Sequence, residues 1–63
     1  MAHGNLEYQA VAIVELYGGI IDYKSGWFTN AETAKSELQH ILERNLPAGM
    51  YNMAEQLRMR EIQ

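Results

Sequence analysis

The sequence predicts a small α+β domain, in the order β-β-α-β, with a three-stranded antiparallel sheet and one helix packed on one face. Three observations predict this class. Residues 6–17 alternate and lead into a glycine pair, residues 30–44 repeat apolar side chains at helical spacing, and residues 50–62 alternate again. A chain of 63 residues has room for a single domain over 1–63 and for only a thin core.

The first predicted strand runs from Leu6 to Tyr17. Its even positions are all apolar, whereas its odd positions are polar at both ends and apolar at Val11 and Ile13. This pattern is typical of a strand whose centre is apolar on both faces. A helix is the alternative, because several of the apolar residues also fit a helical repeat, but the Val and Ile content favours a strand.

A tight turn is predicted at Gly18-Gly19, because glycine adopts positive φ without a steric penalty. The chain then returns as a second strand over Ile20–Lys24, and Ser25-Gly26 ends that strand or forms a bulge. We expect the next two residues, Trp27 and Phe28, to fill the end of the core.

A helix is predicted at about Asn30 to Arg44. Thr29 followed by Glu32 has the form of a capping box, in which the two side chains satisfy amides at the start of the helix. At the other end, Asn45 favours the left-handed closing conformation and Pro47 forbids continuation.

The segment from Met50 to Ile62 has a helix-forming composition but a strand-like pattern. Glu55 breaks the alternation, as a bulge near Ala54 would. We interpret the segment as the third strand, because two strands alone make a marginal sheet. This strand would pack three side chains inward and point two arginines outward: Met53, Leu57 and Met59 against Arg58 and Arg60.

The composition restricts the classes of function. Five basic and eight acidic residues give a formal charge of −3, which argues against nonspecific nucleic-acid binding. The chain has no cysteine and therefore no disulfide or thiolate metal site, which leaves a partner chain as the common way to stabilise so small a domain. The start of the chain lacks the basic residues of a signal peptide, and the longest apolar run, Ala10–Val14, is too short for a membrane span. We expect a cytoplasmic protein without a membrane partner.

No catalytic set emerges from the spacing. Ser36 and His40 are four residues apart on the helix, but a nucleophile and base also need an orienting acid and an oxyanion site. Glu37 and Glu43 flank His40 by one turn and could hold a metal only weakly. We therefore expect a protein that is not an enzyme, with no metal and no cofactor. Three further carboxylates on or near the hairpin are interpreted as solvated surface: Glu7, Glu15 and Asp22.

Two pairs of residues are the candidate partner-binding positions. Arg58 and Arg60 would point to one side of a strand, where guanidinium groups suit bidentate recognition of carboxylates or phosphates. Two solubilising residues are the alternative interpretation. Val11 and Ile13 would lie on the face that a single helix leaves open, and an open apolar patch on a small domain usually marks an interface. The second pair predicts a homodimer or a tight complex with another protein.

The second half of the chain resembles the small early bacteriophage proteins that inhibit the host RNA polymerase. The resemblance covers about half of the chain and rests on Ala31-Glu32-Thr33-Ala34, Pro47-Ala48-Gly49 and Arg58-Met59-Arg60. It implies a β-β-α-β-type fold, and it implies that Arg58 and Arg60 contact the protein partner.

The leading hypothesis is a non-enzymatic protein-binding module of the phage-inhibitor type. One alternative is a small dimeric regulator that binds nucleic acid through four basic residues, and another is a structural homo-oligomer. Salt dependence separates protein from nucleic-acid binding, because counterion release makes the latter fall steeply with ionic strength. The four basic residues are Lys24, Lys35, Arg58 and Arg60.

Overall fold

The computed structural model, which describes residues 5–47 and 52–62, confirms the predicted architecture. Its elements are β1 (Asn5–Leu16), β2 (Gly19–Lys24), α1 (Ala31–Asn45) and β3 (Asn52–Ile62). The strands form one antiparallel sheet in the order β2-β1-β3, so that β1 is central. Most of the predicted turn at Pro47-Ala48-Gly49 and the predicted strand start at residues 50–51 lie outside the described residues.

The hairpin turn lies one residue earlier than the sequence predicted. Tyr17 and Gly18 form it, with φ values of 53° and 77°, while Gly19 pairs with Leu16 as the first residue of β2. Positive φ at both central residues matches the twist of the flanking strands, which is why such two-residue turns are preferred in hairpins. The prediction that Gly18-Gly19 makes the turn is therefore wrong by one position.

Replacing Tyr17 should stabilise the domain. Its side chain is 89% exposed and contributes little packing, yet it holds a left-handed conformation that costs most residues about 1–2 kcal/mol. Asparagine tolerates this conformation, so Tyr17→Asn should raise the free energy of unfolding by about 1 kcal/mol in urea titrations. Tyr17→Ala is the matched control, because it also removes the ring but lacks the short polar side chain that lets asparagine hydrogen-bond locally in this conformation. Equal stabilities for the two variants would contradict a strained turn.

Ser25 connects the end of β2 to β1 through its side chain. Its Oγ accepts a hydrogen bond from the amide of Ala10 at 2.9 Å and donates one to the carbonyl of Gly26 at 2.8 Å. Its own amide donates to the carbonyl of Ala10 at 2.9 Å. The chain then returns to β1, where Phe28 and Tyr8 exchange two backbone hydrogen bonds. The backbone can therefore interrupt its pairing with β1 at Ser25 and resume it at Phe28, while the buried amide of Ala10 keeps a hydrogen-bond acceptor.

The helix begins and ends one residue later than predicted. Asn30 is the N-cap, and its Oδ1 accepts hydrogen bonds from the amides of Glu32 at 2.8 Å and Thr33 at 3.3 Å. The capping box predicted from Thr29 is wrong, because Asn30 satisfies these amides instead. Asn45 is helical rather than left-handed, and its Nδ2 donates to the carbonyl of Ile41 at 2.7 Å.

The core lies between the helix and the central strand. Ala34, Leu38 and Leu42 form the buried stripe of α1, and Leu38 is 2% exposed. Alanines in β1 and on the helix allow the two backbones to approach closely, and half-buried side chains close the margins of this layer. The strand contributes Ala10, Ala12 and Val14, and the margins are Tyr8, Leu16, Tyr23, Phe28 and Leu46.

Strand β3 is regular, and its helix side is open. The pairing with β1 runs unbroken from Asn5 opposite Ile62 to Glu15 opposite Asn52, so the bulge predicted near Ala54 is wrong. Glu55 therefore lies on the helix side of the sheet, where the helix packs on β1 and β2 and leaves β3 exposed to water. Three apolar residues predicted to pack inward are on this side but remain exposed: Met53 by 41%, Leu57 by 40% and Met59 by 63%.

Candidate functional site

The sheet surface opposite the helix is the candidate site, and we call it the helix-free face. Strand pairing places every second residue of each strand on it, because side chains alternate between the two faces. Both arginines and both apolar residues predicted to bind a partner belong to this face. Its members are Asn5, Glu7, Gln9, Val11, Ile13 and Glu15 of β1, Ile20, Asp22 and Lys24 of β2, and Asn52, Ala54, Gln56, Arg58, Arg60 and Ile62 of β3.

Arg60 is engaged within the chain. Its Nη2 and Nε lie 2.8 Å and 2.9 Å from Oε1 of Glu7, the residue opposite it on β1. The guanidinium also stacks over the ring of Trp27, 4.3 Å from the ring centroid. Stacking and ion pairing both engage the guanidinium, so Arg60 is less available to a partner than an arginine without such contacts. Replacing it would also disturb Glu7 and Trp27, so a substitution of Arg58 alone is the cleaner probe of this surface.

Arg58 lies beside this cluster, opposite Gln9. It is exposed, and within residues 5–47 and 52–62 it makes no ion pair or side-chain hydrogen bond. Gln9 itself is turned to the backbone, where its Nε2 donates to the carbonyl of Ser25 at 2.9 Å. The five donors of Arg58 are therefore open to a partner.

The two apolar candidates differ in their exposure. Val11 is 4% exposed in the single chain, so it does not form the open apolar patch that the pattern predicted. Ile13 is half-buried and lines a shallow depression of 310 Å³ together with Ile20, which is 71% exposed. The same depression includes Asn52, whose Nδ2 donates to Oε1 of Glu15 at 3.1 Å. The accessible apolar surface is thus at the turn end of the face.

Charge on the helix-free face is balanced, with three acidic and three basic residues on the strands. Lys35, the fourth cation of the predicted nucleic-acid surface, lies on the helix with its Nζ 3.7 Å from Oε1 of Glu32. The four basic residues therefore do not share one surface.

Residues considered for catalysis lie on the outer side of the helix. Ser36 and His40 both line a broad, open depression of 810 Å³ along α1, and Nδ1 of His40 is 3.6 Å from Oε1 of Glu43. No cluster of three potential metal ligands occurs in the described ranges 5–47 and 52–62.

The cluster of Arg60, Glu7 and Trp27 was not predicted from the sequence. Glu7 and Arg60 are 53 residues apart, and only the pairing of β1 with β3 makes them neighbours. A weak signal existed, because opposite charges are favoured at facing positions of antiparallel strands. That preference can identify a pair only when the strand register is known, and the bulge predicted near Ala54 obscured the register of β3.

Neither described stretch of the chain contains a helix with the length and apolarity needed to cross a membrane. Comparison of the chain with protein-family models, with curated proteins and with solved structures finds no match.

Proposed function

We propose that this chain is a non-enzymatic protein-binding module of the phage-inhibitor type, which docks its helix-free face on a host protein machine such as RNA polymerase. The exposed position of Arg58 is the observation that best supports the proposal. Arg58 is exposed beside the cluster of Arg60, Glu7 and Trp27 and has no ion-pair partner in the described part of the chain. Arginine is enriched among the residues that dominate protein interfaces.

The rest of the face suits a protein partner. Ile13 lies four residues along β1 from the position opposite Arg58, which separates the two by about 14 Å. A polar anchor and an apolar anchor at this distance fit within one interface of ordinary size. The resemblance to phage polymerase inhibitors adds the expectation that the strand arginines make the contact.

Balanced charge favours protein over nucleic acid. A nucleic-acid surface needs several cations that neutralise successive phosphates. Here the cations of the helix-free face alternate with Glu7, Glu15 and Asp22, and Arg60 is already neutralised by Glu7. Such a mixture matches the polar and charged rim of a protein interface.

The experiment is a binding titration of the chain against immobilised, purified bacterial RNA polymerase. We expect Arg58→Ala to weaken binding by about 30-fold or more, because arginine hot spots contribute roughly 2 kcal/mol or more. The matched control is Arg44→Ala, which removes another exposed arginine from the helix. The control should bind like the wild type, and thermal melts should show that both variants stay folded.

Unchanged affinity of Arg58→Ala would contradict a role for the helix-free face, and no binding by the wild type would contradict the choice of RNA polymerase. The same titration with duplex DNA tests the alternative regulator. Binding to DNA that falls by about 10³-fold or more between 50 and 200 mM salt would favour the nucleic-acid function instead.

A further inference from the structure

The two edges of the sheet differ in length. β2 forms one edge with only six residues, whereas β3 forms the other with eleven residues in a regular strand without proline or bulge. Four residues of β3 are charged, and they include both signs: Glu55, Arg58, Arg60 and Glu61. A long regular edge presents a row of unpaired amides and carbonyls, which invite another strand. Nothing in the described part of the chain pairs with the outer edge of β3.

Apolar side chains accompany this open edge. Met53, Leu57 and Met59 are 41%, 40% and 63% exposed on the helix side of β3. They stay partly exposed because the helix packs mainly on β1 and β2 and only borders β3, where Leu57 lines a cleft of 260 Å³ with Leu38. A strand added beside β3 would bury one flank of each of these side chains and pair the open backbone groups in the same step.

The sequence of β3 is complementary to an antiparallel copy of itself. In a pairing centred on Leu57, all of Asn52–Ile62 is matched and Leu57 faces Leu57 of the second copy. Glu55 then faces Met59 of the second copy, and Arg58 faces Gln56 of the second copy, so no like charges are directly opposed.

Neighbouring registers are worse. Centring the pairing on Arg58 would oppose two guanidinium groups, and centring it on Glu55 would oppose two carboxylates. Centring it on Gln56 also avoids like charges, but it pairs only residues 52–60. The register centred on Leu57 therefore combines full length with favourable pairs.

We propose that β3 pairs with β3 of a second copy, joining two sheets into one of six strands with both helices on the same face. A strand of eleven residues is about 37 Å long and would form roughly ten backbone hydrogen bonds across the interface. A typical protein interface has about that number. This pairing goes beyond the proposed function, because it uses the edge of the sheet. It leaves Ile13 and the side chain of Arg58 accessible on the helix-free face.

The test is the molar mass in solution, measured by sedimentation equilibrium over a concentration series. The wild type should dimerise, whereas Leu57→Lys and Leu57→Glu should each weaken the dimer by at least about tenfold, because each places like charges opposite each other at the twofold axis. An equimolar mixture of the two variants should recover the dimer, since the introduced charges then attract. Circular dichroism checks that each variant keeps the fold.

Met59→Lys is the matched control. It introduces the same charge on the same side of the strand, but the pairing places it opposite Glu55 of the second copy, so the dimer should persist. Arg58→Ala should also remain dimeric, which separates this proposal from a failure of partner binding.

A readout without substitution is amide hydrogen exchange of the wild type. Amides that point outward from β3 should be protected at high concentration and exchange rapidly on dilution. A wild-type monomer at millimolar concentration, a dimer that survives Leu57→Lys, or a mixture that stays monomeric would each overturn the proposal.

Discussion

Leu38→Ala should lower the free energy of unfolding by about 2–5 kcal/mol, the range measured for leucine truncation in protein cores. Leu38 is 2% exposed at the centre of the only buried stripe of α1, where it packs against the alanines of β1. A domain of this size has a total stability of only about 3–9 kcal/mol at typical values per residue. The variant should therefore melt at least about 10 °C lower in calorimetry, or fail to fold.

Leu6→Ala is the matched control for this prediction. Leu6 is on the same side of the sheet but 44% exposed, so the same truncation should cost about 1 kcal/mol or less. Similar losses from the two truncations would contradict the position of the helix over β1 and β2.

Ser25→Ala should cost about 1–3 kcal/mol, although it removes a single oxygen atom. The amide of Ala10 donates to that oxygen in a residue that is 4% exposed, and alanine would leave the amide buried without a partner. No other strand residue can supply the missing acceptor, because the backbone departs from the β1 ladder at this point. Urea unfolding of the variant measures the loss.

The control for Ser25 is Ser36→Ala on the exposed side of the helix. This substitution removes the same atom where water replaces it, and alanine is the better helix former, so stability should stay the same or rise slightly. A tolerated Ser25→Ala would mean that the Ala10 amide finds another acceptor.

The elements that were predicted well have strong local signals. α1 has an apolar stripe at helical spacing and a following proline, and β1 has alternation with β-branched residues at its centre. The errors of one residue at the turn and at the N-cap have different causes. At the N-cap, Thr29 and Asn30 are adjacent residues of similar propensity. At the turn, the strand register places Tyr17 in a left-handed conformation that glycine would adopt more easily, so glycine propensity selected the wrong pair.

β3 was placed correctly but for an incomplete reason. Because the apolar face of the strand was expected to be buried, the carboxylate of Glu55 on that face required a bulge to explain it. In the structure the helix covers only part of the sheet, and a carboxylate on an open face needs no such correction. Alternation alone does not show how far one helix extends across three strands.

The sequence predicted which of the candidate residues share a face of the sheet, but it did not predict their contacts. Arg58 and Arg60 share one face because they are two apart on a strand, as the spacing indicated. Their different roles depend on what lies opposite each of them. Glu7 and Trp27 contact Arg60 although they are far from it in the sequence. The spacing of residues along the chain does not reveal such contacts.

The central position of β1 also sets the order in which the domain can fold. β2 joins β1 through a two-residue turn, whereas β3 pairs with β1 only across the whole intervening chain, with Asn5 opposite Ile62. Closing so long a loop costs more chain entropy, and such pairings slow folding. We expect the hairpin and helix to assemble first, so that one edge of β1 stays bare until β3 arrives. During that interval the partly folded domain is most prone to misassembly, because the unpaired edge of β1 can pair with a strand of another molecule.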